Sequence, residues 1–417
     1  MKVVIVHNYY QHAGGEDRVV AAESALLTAH GHQVVPYTVH NQSINSLWQK
    51  LRLWVDCIFS VQHYRRFRRF LQQQQPDVVH VHNYFPLLSP AIFYAAQHEG
   101  IAVVHSLHNF RAICPSATLF DGTQVQTQSV RHSPFWAVRQ KVYRQSSLAT
   151  LLVYLMVVVH RRVGTWQHQV DHFIALSPSG RDLYLAAGWP AAKVSVKANF
   201  IAPPEPLVPT SSQSAITAPT AEVAVMPTAA EMAGAALFVG RLSPEKGVQL
   251  LLNAWSQQAS PLYLVGSGPL QAEVQQAALQ NPLLKPLGAQ SPAHVQLLMQ
   301  QASLLIVPST CLETFGLVVL EAFRQRLPVL VAAHGALSDL VQHGHNGWHF
   351  RPADAADLAQ QAGFLLQDQP LRHQLGAEGW RTEQQHFNSA QNYQQLLAIY
   401  QQAIRTAHAK AQRKASC

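Results

Sequence analysis

The 417-residue chain predicts two consecutive α/β domains, each built on a doubly wound parallel sheet. Three observations predict it. Short apolar or β-branched runs of strand length recur from Lys2–Val6 to Pro328–Ala332. Between them lie helix-compatible segments that end on glycine or before proline, the alternation of parallel βαβ units. Residues 203–234, rich in Pro, Ala, Thr and Ser and free of Lys and Arg, split that alternation in two and read as a mobile linker. The expected parts are 1–202, the linker 203–234, a second domain 235–383 and a terminal helical segment 384–417.

Lys2–Val6 is the first strand, followed by Gly14-Gly15-Glu16-Asp17 and a helix running to His30 and stopped by Gly31. Paired glycines ahead of a helix let backbone approach an anion, although a plain flexible turn has the same composition. Gln33–Tyr37 and Asp77–His82 are further strands, Ala91–His98 is a helix closed by Gly100, and Ile101–His105 is the next strand. His80, His82 and Asn83 close one strand and Ser106–Asn109 close the next, so both sets face the sheet edge where ligands collect. His80 and His82 form an H-x-H pair, but no carboxylate or third histidine is evident at ligand spacing, so strand capping is the alternative and no metal is expected. His172–Leu176, the helix Pro178–Ala187 and Lys193–Lys197 complete the first domain.

The second alternation opens with the strand Ala236–Gly240 and continues through Arg241 and Lys246-Gly247 into the helix Val248–Ser256. An arginine and a lysine at a strand-to-helix turn form a compact cationic clamp, Arg through paired donors and Lys as a point charge. Leu262–Gly266 is a strand and glycine turn whose backbone can come close to a ligand. Ala302–Pro308 is a strand, residues 309–316 a tight loop, and Leu317–Arg326 a helix that stops before Pro328. The N–H groups of Phe315, Gly316 and Leu317 would face an anion there. Glu313 in the loop and Glu321 down the helix would each accept hydrogen bonds from hydroxyls, with a diphosphate between them. That is a site for an activated sugar.

Apolar content of 48% with 12% charged residues is globular, and 417 residues are enough for two cores. Residues 1–200 hold 18 Lys and Arg against 9 Asp and Glu; residues 201–417 hold 12 against 13, so the net +8 belongs to the first half. Two basic aromatic stretches carry it, Leu47–Phe70 and Arg131–Arg162. The second contains the twelve apolar residues Leu148–Val159, short of the ~20 that span a bilayer, which suit a buried helix or one lying among lipid headgroups. No nucleic-acid fold signature accompanies this charge. Cys57, Cys114, Cys311 and Cys417 show no disulfide or zinc spacing, and with no secretory leader or spanning run the expectation is a cytoplasmic protein, free or at the inner membrane face.

The run Pro308-Ser309, Glu313-Thr314-Phe315-Gly316-Leu317 and Glu321-Ala322 resembles the E-x7-E signature of family 4 of the retaining, nucleotide-sugar-dependent glycosyltransferases. Gly14-Gly15-Glu16 is similar to the family's glycine loop, Gly240-Arg241 through Lys246-Gly247 to its diphosphate clamp, and Ser106 to Pro115 to its acceptor-side segment with His108. The resemblance covers nearly all of the chain except the linker. It implies a GT-B fold, two facing Rossmann-like domains with a deep cleft, the donor on the second domain, the acceptor on the first, and last helices that cross back to the first. It implies retention without a bound metal or other cofactor. His108, Arg241, Lys246 and Glu313 would be catalytic. Gly14, Gly15, Gly266, Gln290, Thr314, Phe315, Gly316, Leu317 and Glu321 would bind the donor, Gln290 beside the base. The acceptor would be a saccharide or a lipid-linked group, with peripheral membrane contact through the basic domain. Where family members often carry further cysteines, this chain has Asp121-Gly122-Thr123-Gln124, so no role of those cysteines transfers. A sugar-nucleotide epimerase of the same fold, a non-catalytic nucleotide-sugar-binding protein and a membrane-surface scaffold stay open as alternatives.

Overall fold

A computed structural model describes residues 1–9, 14–40, 56–202 and 226–415. Loop residues 10–13, the basic run Leu47–Trp54, linker residues 203–225 and Cys417 lie outside the described residues.

The first sheet comprises β1 (Lys2–Tyr9), β2 (Gln33–His40), β3 (Val78–Val81), β4 (Ala102–Leu107), β5 (His172–Ala175) and β6 (Val194–Val196), in the order β2-β1-β3-β4-β5-β6. Every pairing is parallel, with Val3 opposite Val34 and Val78, and Val104 opposite His80 and His172. The continuous valine runs are explained by burial on both faces. Val3 and Ile5 join one apolar cluster, while Val4, Val6, Val79, Val81 and Val103 join the other. Helices α1 (Gly15–Ala29), α2 (Val61–Gln74), α3 (Ala91–His98), α4 (Ser147–Arg162) and α5 (Pro178–Ala186) connect the strands. Hydroxyl caps fix three of their starts, with Ser60, Ser146 and Ser177 accepting from the amides of His63, Ala149 and Gly180.

The second sheet comprises β7 (Ala236–Val239), β8 (Leu262–Val265), β9 (Leu284–Gly288), β10 (Leu304–Val307), β11 (Val329–Ala332) and β12 (Trp348–Phe350), in the order β12-β11-β10-β7-β8-β9, again all parallel. Its helices are α6 (Val248–Trp255), α7 (Gln271–Gln280), α8 (Pro292–Gln301), α9 (Leu317–Arg324), α10 (Gly335–Leu340), α11 (Ala355–Gln367) and α12 (Gln369–His386). The chain order reverses between β1 and β3 in one sheet and between β7 and β10 in the other. Those two switch points are where open α/β sheets bind ligands.

The last helix, α13 (Ser389–Ala415), packs on β3, β4 and β5 of the first sheet. Leu396, Tyr400 and Ala403 are fully buried there, and Lys410 reaches Asp171 at 2.6 Å. The terminal helical segment expected over 384–417 is the end of α12 followed by α13, with a break at Phe387–Asn388, where the Asn388 side chain caps the amide of Gln391 at 2.8 Å.

Candidate active site

Two glycines assemble the second-domain half of the site. Gly247, at φ +73°, lies so close to the end of β10 that a Cβ there would stand 1.8 Å from the Pro308 carbonyl oxygen. That contact brings the β7 loop, with Lys246, against the β10 loop, with Glu313. Lys246 Nζ donates to Glu313 Oε1 at 2.6 Å, and Ser309 Oγ donates to the same oxygen at 2.6 Å. Burial raises the Glu313 carboxyl, but Lys246 and Ser309 outweigh it and hold the group below its usual range. Burial likewise lowers Lys246, and Glu313 reverses this to a net rise. Both stay charged, and Glu313 Oε2 has no hydrogen-bond partner among the described residues. Arg241 stands exposed at the same strand end, without an ion pair among the described residues.

Helix α9 begins beyond the loop, with Gly316 as N-cap and no side-chain cap, so its first amides point into the cleft. Phe315 contributes backbone only, since its ring is buried 6.0 Å from Phe387. Thr314 is committed across the cleft, its hydroxyl donating to the His108 carbonyl at 3.0 Å. Leu317 lies opposite Gly15, where a Cβ would meet its Cδ1 at 3.2 Å. The Gly14 amide donates to Asp17 Oδ2 at 2.8 Å and so is already satisfied. Gly266 differs from its expected use. At φ +144°, a Cβ would lie 1.8 Å from the Gly240 carbonyl oxygen, so the missing side chain serves the approach of two backbones. Gln290 sits beyond β9 and donates to the Leu287 carbonyl at 2.7 Å. Glu321 is held by Arg18 of α1, and its burial outweighs the arginine, leaving the carboxyl raised.

The first-domain half gathers at the ends of β1, β3 and β4. His82 Nδ1 and His108 Nε2 share a hydrogen bond at 2.9 Å. His80 is no strand cap. It lies inside β3, bonded through Nδ1 to Tyr400 at 2.7 Å and through Nε2 to Ser106 at 2.8 Å. The absence of a carboxylate near the H-x-H pair is also corrected, because Glu23 Oε2 of α1 lies 3.8 Å from His80 and 3.6 Å from His82. Glu23, His80 and His82 are close enough to surround a cation. Both His80 nitrogens are taken, however, and the Lys197 ammonium sits 2.7 Å from Glu23 Oε1. A divalent ion would add charge beside a buried ammonium, so the set suits a hydrogen-bonded cluster better. His7, Glu16 and Asp17 form a second acidic group, with His7 Nε2 at 2.7 Å from Asp17 and Glu16 pushed up to about 8 by burial and by Asp17.

Sequence reasoning missed Arg18, Ser309 and Glu23. Glu23 was the most legible, standing in the buried stripe Val19, Val20, Leu27 of α1, where a carboxylate needs a partner. Lys197 and Glu23 are buried together, and Asn392 of α13 also accepts from Lys197 at 3.1 Å. Lys197→Met strands that carboxylate and is expected to destabilise the fold by about 3–5 kcal/mol, read as a lowered urea midpoint. An unchanged midpoint would show the pair to be dispensable.

Two facing Rossmann-like domains with ligand-binding switch points turned to a common cleft define a GT-B architecture. The Anabaena protein HepE, solved with UDP, shares the fold, with a TM-score of 0.63 over 95% of this chain and 99% of that one at 18% identity. The family model for Glycosyltransferase Family 4 matches residues 13–203, and that for Glycosyl transferases group 1 matches residues 227–382. The chain belongs to this glycosyltransferase family. An uncharacterized glycosyltransferase of Methanocaldococcus jannaschii is 32% identical over 145 residues, 34% of this chain and 41% of that protein. The lipopolysaccharide 1,2-N-acetylglucosaminetransferase of Salmonella typhimurium is 31% identical over 162 residues, 35% of this chain and 42% of that protein. The alignments thus span about two-fifths of each of these relatives.

Proposed function

We propose that the chain transfers a sugar from a nucleoside diphosphate donor to a saccharide or lipid-linked acceptor, retaining anomeric configuration and using no metal ion, in the synthesis of surface polysaccharide or glycolipid. One observation carries this reading: Lys246, Glu313 and the open N-terminus of α9 converge at the second switch point, with His108 directly across the cleft. As the donor bond breaks, charge grows on the diphosphate. Arg241, Lys246 and the α9 amides are preorganised to stabilise it in place of a divalent ion. Glu313 Oε2 remains to orient a sugar hydroxyl. Glu321 lies deeper along α9, where a ribose hydroxyl would displace or share Arg18. Glu313 is held through Oε1 by Lys246 and Ser309 as an orienting group, which favours same-face attack without a covalent intermediate.

Since HepE was solved with UDP and with UDP-glucose, uridine diphosphate sugars are the first donors to test. A screen of nucleotide sugars for protection against thermal unfolding selects the donor, and products are then analysed with and without saccharide acceptors. The reading predicts acceptor-dependent glycoside of retained configuration. A sugar altered without acceptor would identify an epimerase, and binding without turnover a sensor.

Membrane contact is part of the proposal. Helix α4 buries Val153, Met156, Val157 and His160 and leaves Leu148, Leu155 and Val159 exposed, so it is at once a core helix and an apolar surface. Phe135 stacks edge-on with Tyr154 at 5.5 Å, and Arg161 bonds the carbonyls of Arg131 and His132, which extends one basic, apolar face. No acidic residue occurs between Asp121 and Asp171. Each exposed Arg near an anionic leaflet contributes roughly 1 kcal/mol. The chain is expected to float with phosphatidylglycerol vesicles at low salt and to be released by Leu155→Asp with Arg161→Glu. Failure of the native chain to float would remove this part. No described helix is long and apolar enough to cross a membrane.

A further inference from the structure

Next to His108, a second histidine and a buried carboxylate stand in line. We infer that Glu23, acting through His82, is a positioning residue that fixes which nitrogen of His108 carries the hydrogen. Its effect on turnover rests on the transferase reading; the tautomer does not.

The geometry leaves one consistent assignment. Glu23 Oε1 accepts from the Lys197 ammonium at 2.7 Å in an ion pair, which leaves Oε2 as an acceptor. Among the described residues Oε2 has no hydrogen-bond partner, and it faces His82 Nε2, likewise buried and unpartnered, at 3.6 Å. The other group near Oε2, His80 Nδ1 at 3.8 Å, already shares its hydrogen bond with Tyr400. A bare imidazole lone pair turned toward a carboxylate in a dry pocket is repulsive, so His82 carries its hydrogen on Nε2. Burial holds both His82 and His108 far below the usual imidazole range, so each is neutral with one hydrogen. His82 Nδ1 is then an acceptor, and His108 must donate to it from Nε2 across the 2.9 Å contact. His108 Nδ1 is left as a lone pair. His108 therefore offers an acceptor at Nδ1, suited to a sugar hydroxyl and unsuited to a carbonyl or a phosphate oxygen.

The same logic predicts a reversal. In Glu23→Gln the amide oxygen must face Lys197, which only donates, so the NH2 group faces His82 Nε2. His82 then protonates at Nδ1 and donates to His108, whose own hydrogen moves to Nδ1. In His82→Gln the polarity is kept, since the amide oxygen can accept from His108 while its NH2 group faces Glu23.

The experiment is nitrogen NMR of the full chain labelled with 15N-histidine, signals being assigned by their loss in His82→Gln and His108→Gln. The expected spectrum has pyrrole-type Nε2 and pyridine-type Nδ1 for both His82 and His108. A native His108 protonated at Nδ1 overturns the inference. Glu23→Gln is expected to swap the His108 tautomer and to lower kcat roughly 10- to 100-fold with little change in donor KM. His82→Gln should keep more activity than His82→Leu. A folded Glu23→Gln protein with the native tautomer and native kcat would also overturn it. If the native chain transfers no sugar, the proposed function fails while the tautomer measurement still decides this inference.

Discussion

Lys246→Ala is expected to lower turnover at least 100-fold, about 2.7 kcal/mol of transition-state stabilisation, and Arg241→Ala to act in the same direction. The two cations differ in setting. Lys246 is held by Glu313 at 2.6 Å, so it would face a donor diphosphate from a fixed position while charge develops. Arg241 has no ion pair among the described residues and is free to close on an incoming phosphate through two donors. Lys246→Ala also releases Glu313, which then keeps only Ser309 and would repel the donor, so its KM should rise as well. Lys246→Arg preserves charge but not the compact point contact, and partial activity is expected. The check is steady-state kinetics with the selected donor. Native turnover in both alanine variants would remove the clamp from the mechanism.

Mild acid is expected to destabilise the fold steeply between pH 6.5 and about 4.5. Burial lowers His105 and His172 to about 4 and His108 to about 3, and lowers His80 and His82 well below the usual value. The unfolded chain binds protons at these positions from about pH 6.5 downward, while the folded one resists. Their contribution is therefore complete above pH 6.5 and lost as pH falls toward the folded values. Each histidine accounts for about 1.4 kcal/mol per pH unit in that window. Glu16, raised to about 8, and Glu321, also raised, work the other way, but they are two groups against five histidines. Urea midpoints at pH 7 and pH 5 decide the matter. Equal midpoints would mean that the histidines are not held neutral by the fold.

Both sheets were legible because parallel strands covered on two faces read as unbroken apolar runs, as Val78–Val81 and Leu304–Val307 do. The edge strands of the second sheet were not. β9 contains Lys285 and Pro286, and β12 has three residues, so neither carries that signal. The E-x7-E loop and the Arg241–Lys246 turn were legible because each is local. Arg18 and Glu321 are 303 positions apart, and Lys197 and Glu23 are 174 apart. No spacing rule joins such pairs; only the closed cleft and the packed α1 do. Gly266 was read as ligand-facing, whereas there, as at Gly247, the structure uses a glycine to let two backbones meet.

The most direct test is a crystal of the chain grown with the nucleoside diphosphate that protects it best. The account predicts the β-phosphate within hydrogen-bonding distance of Lys246, Arg241 and the amides of residues 315–317. A diphosphate bound at the ends of β1 and β3 instead, with Lys246 and the start of α9 untouched, would contradict it.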